Sequence, residues 1–136
     1  CWKALMFRTH FTLYVQDQSR SSASYERVLG MQPRLDVPGM TEFEFGDECV
    51  LGLMPSSGIK RLLGEKLPDP VLAAGIPRAE LYSVHPNADQ IHRASLDAGG
   101  RELSPMTPRD WGDTVAYSLD LDGHVLAFAR PTSPTL

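Results

Sequence analysis

Cysteine, aromatic residues and positive charge are all scarce in this chain, and it has no long apolar run. Two Cys in 136 residues, against the density of a small disulfide scaffold, point to a reducing compartment. Cys49 sits in an apolar stretch and is expected as a buried thiol; Cys1 is assigned no role. Lys and Arg total 13 against 17 Asp and Glu, giving a net charge of −4 and a pI of about 5.5. Such a balance lacks the broad attraction that drives phosphate-backbone binding, so no nucleic-acid partner is expected. No apolar run approaches the ~20 residues that span a bilayer, and Cys1 to Phe11 lacks the charged, apolar and small-residue order of a signal peptide. The expectation is a soluble cytoplasmic protein with no membrane partner.

Familiar catalytic signatures are missing too. The chain has no Gly-rich phosphate loop, no zinc-type His-Glu-x-x-His and no Ser or Cys nucleophile with a matching base. Asp120-Leu121-Asp122-Gly123 opens like a calcium loop, but the later acidic residues and the spaced Glu do not follow, which leaves a hairpin turn. His85, His92 and His124 fall at a strand end, a helix surface and a turn, without metal-ligand spacing. Lys60-Arg61 is too short for a basic patch.

What is present is a core. With hydrophobic residues at 42%, a chain of this length forms one ordinary domain that buries roughly 68–70% of its unfolded surface. Alternation predicts a strand over Phe7 to Val15, with Phe11, Leu13 and Val15 on one face and His10, Thr12 and Tyr14 on the other. After Asp17 as N-cap, Tyr25, Val28 and Leu29 at i, i+3 and i+4 predict a helix over Ser19 to Leu29, stopped by Gly30. Thr41 to Phe45 and Cys49 to Met54 read as a hairpin around Gly46-Asp47. Residues 55–77, rich in Pro and Gly, read as a linker with a short helical candidate at Ile59 to Leu63. The pattern then returns: a strand at Ala79 to Val84, a helix at Asn87 to Ala98 stopped by Gly99-Gly100, and a hairpin of Val115 to Leu119 with His124 to Ala129.

Subtraction tests the repeat. A shift of 70 places Gly30 on Gly100 and His10 on Glu80, and a shift of 75 places Val50-Leu51-Gly52-Leu53 on Val125-Leu126-Ala127-Phe128. The five extra residues fall in the loop with Pro105, Pro108, Arg109 and Trp111. Duplication of a βαβββ unit accounts for this arrangement. Module one covers about 5–54 and module two about 78–131.

A duplicated βαβββ unit of this length resembles the vicinal oxygen chelate superfamily, which includes glyoxalase I, bleomycin-resistance proteins and extradiol dioxygenases. The residues carrying the likeness are His10-Phe11-Thr12-Leu13-Tyr14-Val15-Gln16-Asp17, Ser21 through Tyr25 to Val28-Leu29-Gly30, and Trp111-Gly112-Asp113 leading to Asp120-Leu121-Asp122-Gly123-His124-Val125-Leu126-Ala127-Phe128. The resemblance implies an α+β fold of two modules whose curved mixed sheets surround a shared cavity, commonly completed by a homodimer. Metal-dependent members carry His or Glu at four positions, which here hold His10, Gly52, Glu80 and Ala127. Two of these cannot ligate, and catalytic metal sites generally use at least three protein ligands. No cofactor is therefore expected. The alternative is a divalent Ni, Zn, Fe or Mn ion on His10 and Glu80 with a third ligand from Glu42, Glu44, Glu48 or Asp47, of which Glu48 and Asp47 are expected at the hairpin turn.

The candidate ligand-binding residues are His10, Thr12, Tyr14, Gly52, Met54, Glu80, Tyr82, Trp111 and Ala127. Planar organic ligands favour aromatic walls with a few placed polar groups, which Thr12, Tyr14, Tyr82 and Trp111 offer. Gly52 and Ala127 would leave inward volume, over a floor made apolar by Val50, Met54 and Val125. A His10–Glu80 hydrogen bond would serve a ligand-binding and a structural role alike, and Glu80 is the candidate general base if catalysis occurs. Arg109 and Asp110 read as solvated or loop-bracing charges. The expectation is a metal-free protein that sequesters an aromatic or apolar organic molecule, as the bleomycin-resistance branch does. The alternative is a metal-dependent lyase or isomerase of the lactoylglutathione lyase kind, or a dioxygenase.

Overall fold

The computed structural model describes residues 7–133, so Cys1 and the first two residues of module one lie outside the described residues. Two βαβββ runs follow one another: β1 (Thr9–Val15), α1 (Gln18–Leu29), β2 (Leu35–Val37), β3 (Met40–Glu44) and β4 (Cys49–Pro55), then β5 (Glu80–Val84), α3 (Ala88–Asp97), β6 (Arg101–Pro108), β7 (Asp113–Leu119) and β8 (Val125–Pro131). Between them, residues 55–77 carry α2 (Ser56–Leu63) and two short 3-10 turns, so the segment read as a linker is largely structured. Each run forms a four-stranded mixed sheet, ordered β1-β4-β3-β2 and β5-β8-β7-β6. The α+β fold expected from the repeat is the one observed.

The duplication is visible in strand register. His10 pairs with Val50 and Thr12 with Gly52 across parallel β1 and β4, while Glu80 pairs with Val125 and Tyr82 with Ala127 across parallel β5 and β8. The shifts of 70 and 75 read from the sequence therefore map one set of pairs onto the other.

Contacts divide the chain into two compact units: one runs to Ser22 and resumes over Met31–Leu72, and the other joins Ala23–Gly30 to the chain from Ala73 onward. In the first, Leu13, Val15, Phe43, Leu51 and Leu53 fill the buried face of the sheet, with Phe43 and Leu53 wholly enclosed. Full burial of such side chains stabilises by about 1.5–3 kcal/mol each, and truncating Phe43 to Ala would cost about 3–5 kcal/mol. Asp17 starts α1 by accepting the Arg20 backbone N–H at 3.0 Å. The Gln18 amide then ties this helix start to the β2–β3 hairpin, donating to the Val37 carbonyl at 2.8 Å and to Thr41 Oγ1 at 2.9 Å, and accepting from Gly39 N–H at 2.8 Å. Cys49 is a free, half-buried thiol rather than the fully buried one expected, because it opens β4 next to the β3–β4 turn.

In the second unit, Ala116, Leu126 and Phe128 are buried on the sheet face that packs against α3. Ser95 and Ser118 share a hydrogen bond of 2.9 Å in this layer. Gly100 is required by close approach, since a Cβ there would lie 2.6 Å from the Ser95 carbonyl oxygen. His92, expected on the helix surface, is instead buried, with Nε2 2.8 Å from Glu102 Oε2 on β6. Residues of α1 complete the unit: Ser24 Oγ donates to the Ala98 carbonyl at 2.9 Å and Tyr25 OH donates to Asp120 Oδ2 at 2.6 Å. Asp120 Oδ1 accepts the backbone N–H groups of Asp122 and His124 at 2.9 and 2.8 Å, so the calcium-like tetrapeptide is a self-bonded hairpin turn.

Candidate functional site

Residues that pair in register project from the same face of a sheet, which locates the candidate residues of the first unit. His10, Thr12 and Tyr14 on β1, Gly52 and Met54 on β4, and Glu42 on β3 share one face, with Gly52 in register with both Thr12 and Glu42. The carboxylate beside His10 is that of Glu42, whose Oε2 lies 3.5 Å from His10 Nδ1. Its other oxygen accepts from Arg34 Nε at 3.0 Å and Nη2 at 2.9 Å, while Arg34 Nη1 reaches Glu44 at 3.4 Å. The hydrogen bond to Glu42 is the largest cause holding the Arg34 guanidinium above its ordinary pKa. Glu42 is thus a nearly buried carboxylate already matched by a guanidinium.

Gly52 does not leave open volume. A Cβ built on it would stand 3.1 Å from Thr12 Oγ1 and 3.4 Å from Met40 Sδ, so side chains of the same sheet take the space. Ala127 is likewise enclosed, in a cluster with Val115 and Ala129 against which the Tyr117 ring packs. That cluster is an apolar floor on the second sheet, itself closed to solvent beneath Tyr117 and its neighbours, and Glu80 stands exposed at its β5 edge.

Above the floor is a chain of polar contacts between aromatic groups. Trp111 Nε1 donates to Tyr82 OH at 2.8 Å, and Tyr82 OH donates to Asp113 Oδ2 at 2.5 Å. Desolvation, followed by the hydrogen bond to Asp113, raises the Tyr82 pKa, with the Trp111 bond opposing them. The phenol therefore stays a donor at neutral pH, directed at the Asp113 carboxylate. Trp111 sits in a tied turn: Arg109 N–H bonds to the Asp113 carbonyl at 2.7 Å and Gly112 N–H to the Arg109 carbonyl at 3.3 Å. Its indole is nevertheless 59% exposed, an expensive way to leave a large apolar ring unless something covers it.

Arg109 braces this turn, as the sequence allowed, but through neutral groups. Its Nη2 donates to Ser104 Oγ at 2.7 Å and to the Val115 carbonyl at 3.0 Å, and its guanidinium carbon lies 5.2 Å from the Tyr117 ring centroid. Asp113 is not among the sequence candidates because the strand reads only from Val115 onward, whereas β7 starts at Asp113. Extending its alternation back by two positions would have put Asp113 on the same face as Val115 and Tyr117.

These donors do not fit a catalytic metal. Of the four positions used in metal-dependent relatives, Gly52 and Ala127 offer no ligating atom, and Glu42, the nearest substitute, is engaged by Arg34. Among the described residues, no three His, Cys, Asp or Glu side chains are placed to hold one ion. Surface grooves of about 530 Å³ beside Lys60, Arg61 and Asp69, and of about 350 Å³ beside His92, Arg93 and Glu102, lie away from the candidate residues.

Solved structures confirm the fold. A glyoxalase-related enzyme from Fulvimarina pelagi superposes with a TM-score of 0.76 at 20% identity, covering 90% of this chain and 86% of its own. A protein of unknown function from Agrobacterium tumefaciens str. C58 gives 0.74 at 20% identity, covering 92% and 94%. A glyoxalase/bleomycin resistance protein/dioxygenase from Nocardioides gives 0.70 at 18% identity, covering 96% and 86%. No curated protein matches the chain. The model of the Glyoxalase/Bleomycin resistance protein/Dioxygenase superfamily matches residues 8–128, which take in β1 to β7, the start of β8 and all the candidate residues. With its βαβββ repeat, its register and that match in agreement, the chain belongs to the Glyoxalase/Bleomycin resistance protein/Dioxygenase superfamily.

Proposed function

We propose that this protein binds a small organic molecule with an aromatic or apolar body and holds it without metal chemistry. The observation that carries the reading is the Trp111–Tyr82–Asp113 chain, which fixes an exposed indole beside the floor of Val115, Ala127 and Ala129. Rigid aromatic walls beside an apolar floor, with few polar groups held in place, are the usual construction of a small-molecule site. The first sheet offers His10, Thr12 and Tyr14 on one face in the same manner. Sequestration needs no reacting group, and among the described residues no three His, Cys, Asp or Glu side chains gather to hold an ion. A homodimer is part of this reading, since each sheet ends in edge strands that a second copy would protect.

The test is a screen of planar aromatic compounds, read by Trp111 fluorescence and by the melting temperature. Saturable binding to the metal-free protein supports the proposal. Turnover of a glutathione hemithioacetal or a catechol that requires added nickel, zinc, iron(II) or manganese(II) would replace it with the metal-dependent lyase, isomerase or dioxygenase reading.

A further inference from the structure

We infer that the ligand carries an anionic group, a carboxylate or sulfonate on its aromatic or apolar body, and that Arg109 receives it. The inference rests on the small-molecule reading above and names the class of ligand for that same site.

Arg34 is neutralised by Glu42 and Glu44, and Arg130 by Asp89 at 2.7 Å. Arg109 differs from both. It is half-buried, yet it makes no ion pair among the described residues. Both of its hydrogen bonds come from Nη2 and go to neutral oxygens, and its Nε is buried without a partner. A guanidinium has five N–H donors in a planar fork suited to a carboxylate, so most of this one's capacity is unspent.

The natural counter-ion stands across the hairpin but is directed elsewhere. Arg109 and Asp113 are joined through the backbone at 2.7 Å, while the Asp113 carboxylate turns to Tyr82 OH at 2.5 Å. A hairpin that holds both charges and bonds neither to the other keeps the cation available. Its position is also fixed in advance: Ser104 Oγ, the Val115 carbonyl and the Tyr117 ring set the plane of the guanidinium before any ligand arrives. Such preorganisation lowers the ordering cost of binding. An anion at this guanidinium would lie beside the half-buried Tyr117 ring, which, with the exposed Trp111 indole, would take the apolar body of the same molecule. Charge-assisted hydrogen bonds to a half-buried guanidinium are roughly twice as strong as neutral ones, so they outweigh the mild repulsion from exposed Glu80.

The experiment is a calorimetric titration of the full chain with three naphthalene probes: 1-naphthoate, its neutral isostere 1-naphthamide, and cationic 1-naphthylmethylamine. The expected result is that 1-naphthoate binds about tenfold or more tightly than the amide. Arg109→Gln should bring the two within about twofold of each other, and Arg109→Lys should keep part of the preference. Should Arg109→Gln fail to fold, a shift of the Arg109 side-chain Nε resonance in the wild-type protein, seen with naphthoate and not with amide, carries the same information. An amide or amine that binds as tightly as the carboxylate overturns this inference and leaves the small-molecule reading standing. Absence of binding by all three probes overturns both.

Discussion

Thr12 Oγ1 stands 3.1 Å from the point where a Cβ on Gly52 would sit, so the hydroxyl of one strand fills the volume that its register partner leaves empty. The pair should behave as one packing unit. Gly52→Ala is expected to change stability by about 1 kcal/mol or less, because the strand gains a Cβ while Thr12 and Met40 shift by a few tenths of an ångström. Combined with Thr12→Ala, that contact disappears. A double-mutant cycle from urea melts should return a coupling of about 0.5–1 kcal/mol, and strict additivity would show that the contact is not felt.

Divalent metal should not stabilise the fold. Glu42 is engaged by Arg34, and Gly52 and Ala127 offer no ligating atom. Stoichiometric nickel, zinc or manganese is therefore expected to leave the melting temperature unchanged, with chelation equally silent, since an ion bound to the native state alone would raise it by mass action. Metal content of the purified protein and calorimetric melts in metal and in chelator check this expectation.

Tyr25 should make the protein sensitive to alkali. Burial first, and then Asp120, hold its phenol well above the ordinary value of 10.0. The unfolded chain releases that proton near its ordinary value while the native chain keeps it, so this contribution is complete below about pH 10 and is lost as pH rises toward the folded value. Tyr25→Phe should lower stability at pH 7 by about 1.5–3 kcal/mol through loss of the bond to a charged acceptor. It should also flatten the decline above pH 10. Urea melts at pH 7, 9, 10 and 11 separate the two effects.

Tyr82→Phe removes both the acceptor for Trp111 Nε1 and the donor to Asp113. Because both aromatic groups are exposed, stability should fall by about 1 kcal/mol or less. Affinity for planar aromatic compounds should fall severalfold as the indole loses its fixed orientation. Trp111→Ala should weaken binding further with little change in melting temperature. Equal affinity in both variants would take the aromatic chain out of the site.

Assembly is checked by light scattering behind size exclusion. The expected mass is twice the 15.0 kDa of one chain at micromolar concentration. A single-chain mass would remove the second copy from the proposed function.

The sequence made the repeat, the helix ends and the strand faces legible, because hydrophobic alternation, Asp17 and Gly30 act locally. Two strands escaped. β2 is three exposed residues, and β6 contains Pro105 and Pro108 and breaks register between Glu102, Ser104 and Thr107. Edge strands tolerate proline and bulges, so the signals that usually argue against a strand were misleading there. Of the candidate site, His10, Tyr82 and Ala127 are placed by strand alternation and the repeat, and Trp111 by the insertion loop that the repeat leaves over. Glu42 was considered only as a spare ligand, and its guanidinium partner Arg34 was not seen, because that pairing depends on the antiparallel register that sets Leu35 against Glu42. His92 was misplaced for a related reason: its partner Glu102 comes from a strand whose prolines concealed it.

Ser24 and Tyr25 belong to the first repeat by sequence and to the second unit by contact. A polypeptide of one repeat's length would therefore present a bare Ala98 carbonyl and an Asp120 carboxylate lacking its phenol donor, unless a helix from another copy supplied both. Cutting the chain between its repeats would therefore strip the second unit of part of its own packing, and not merely of a neighbour.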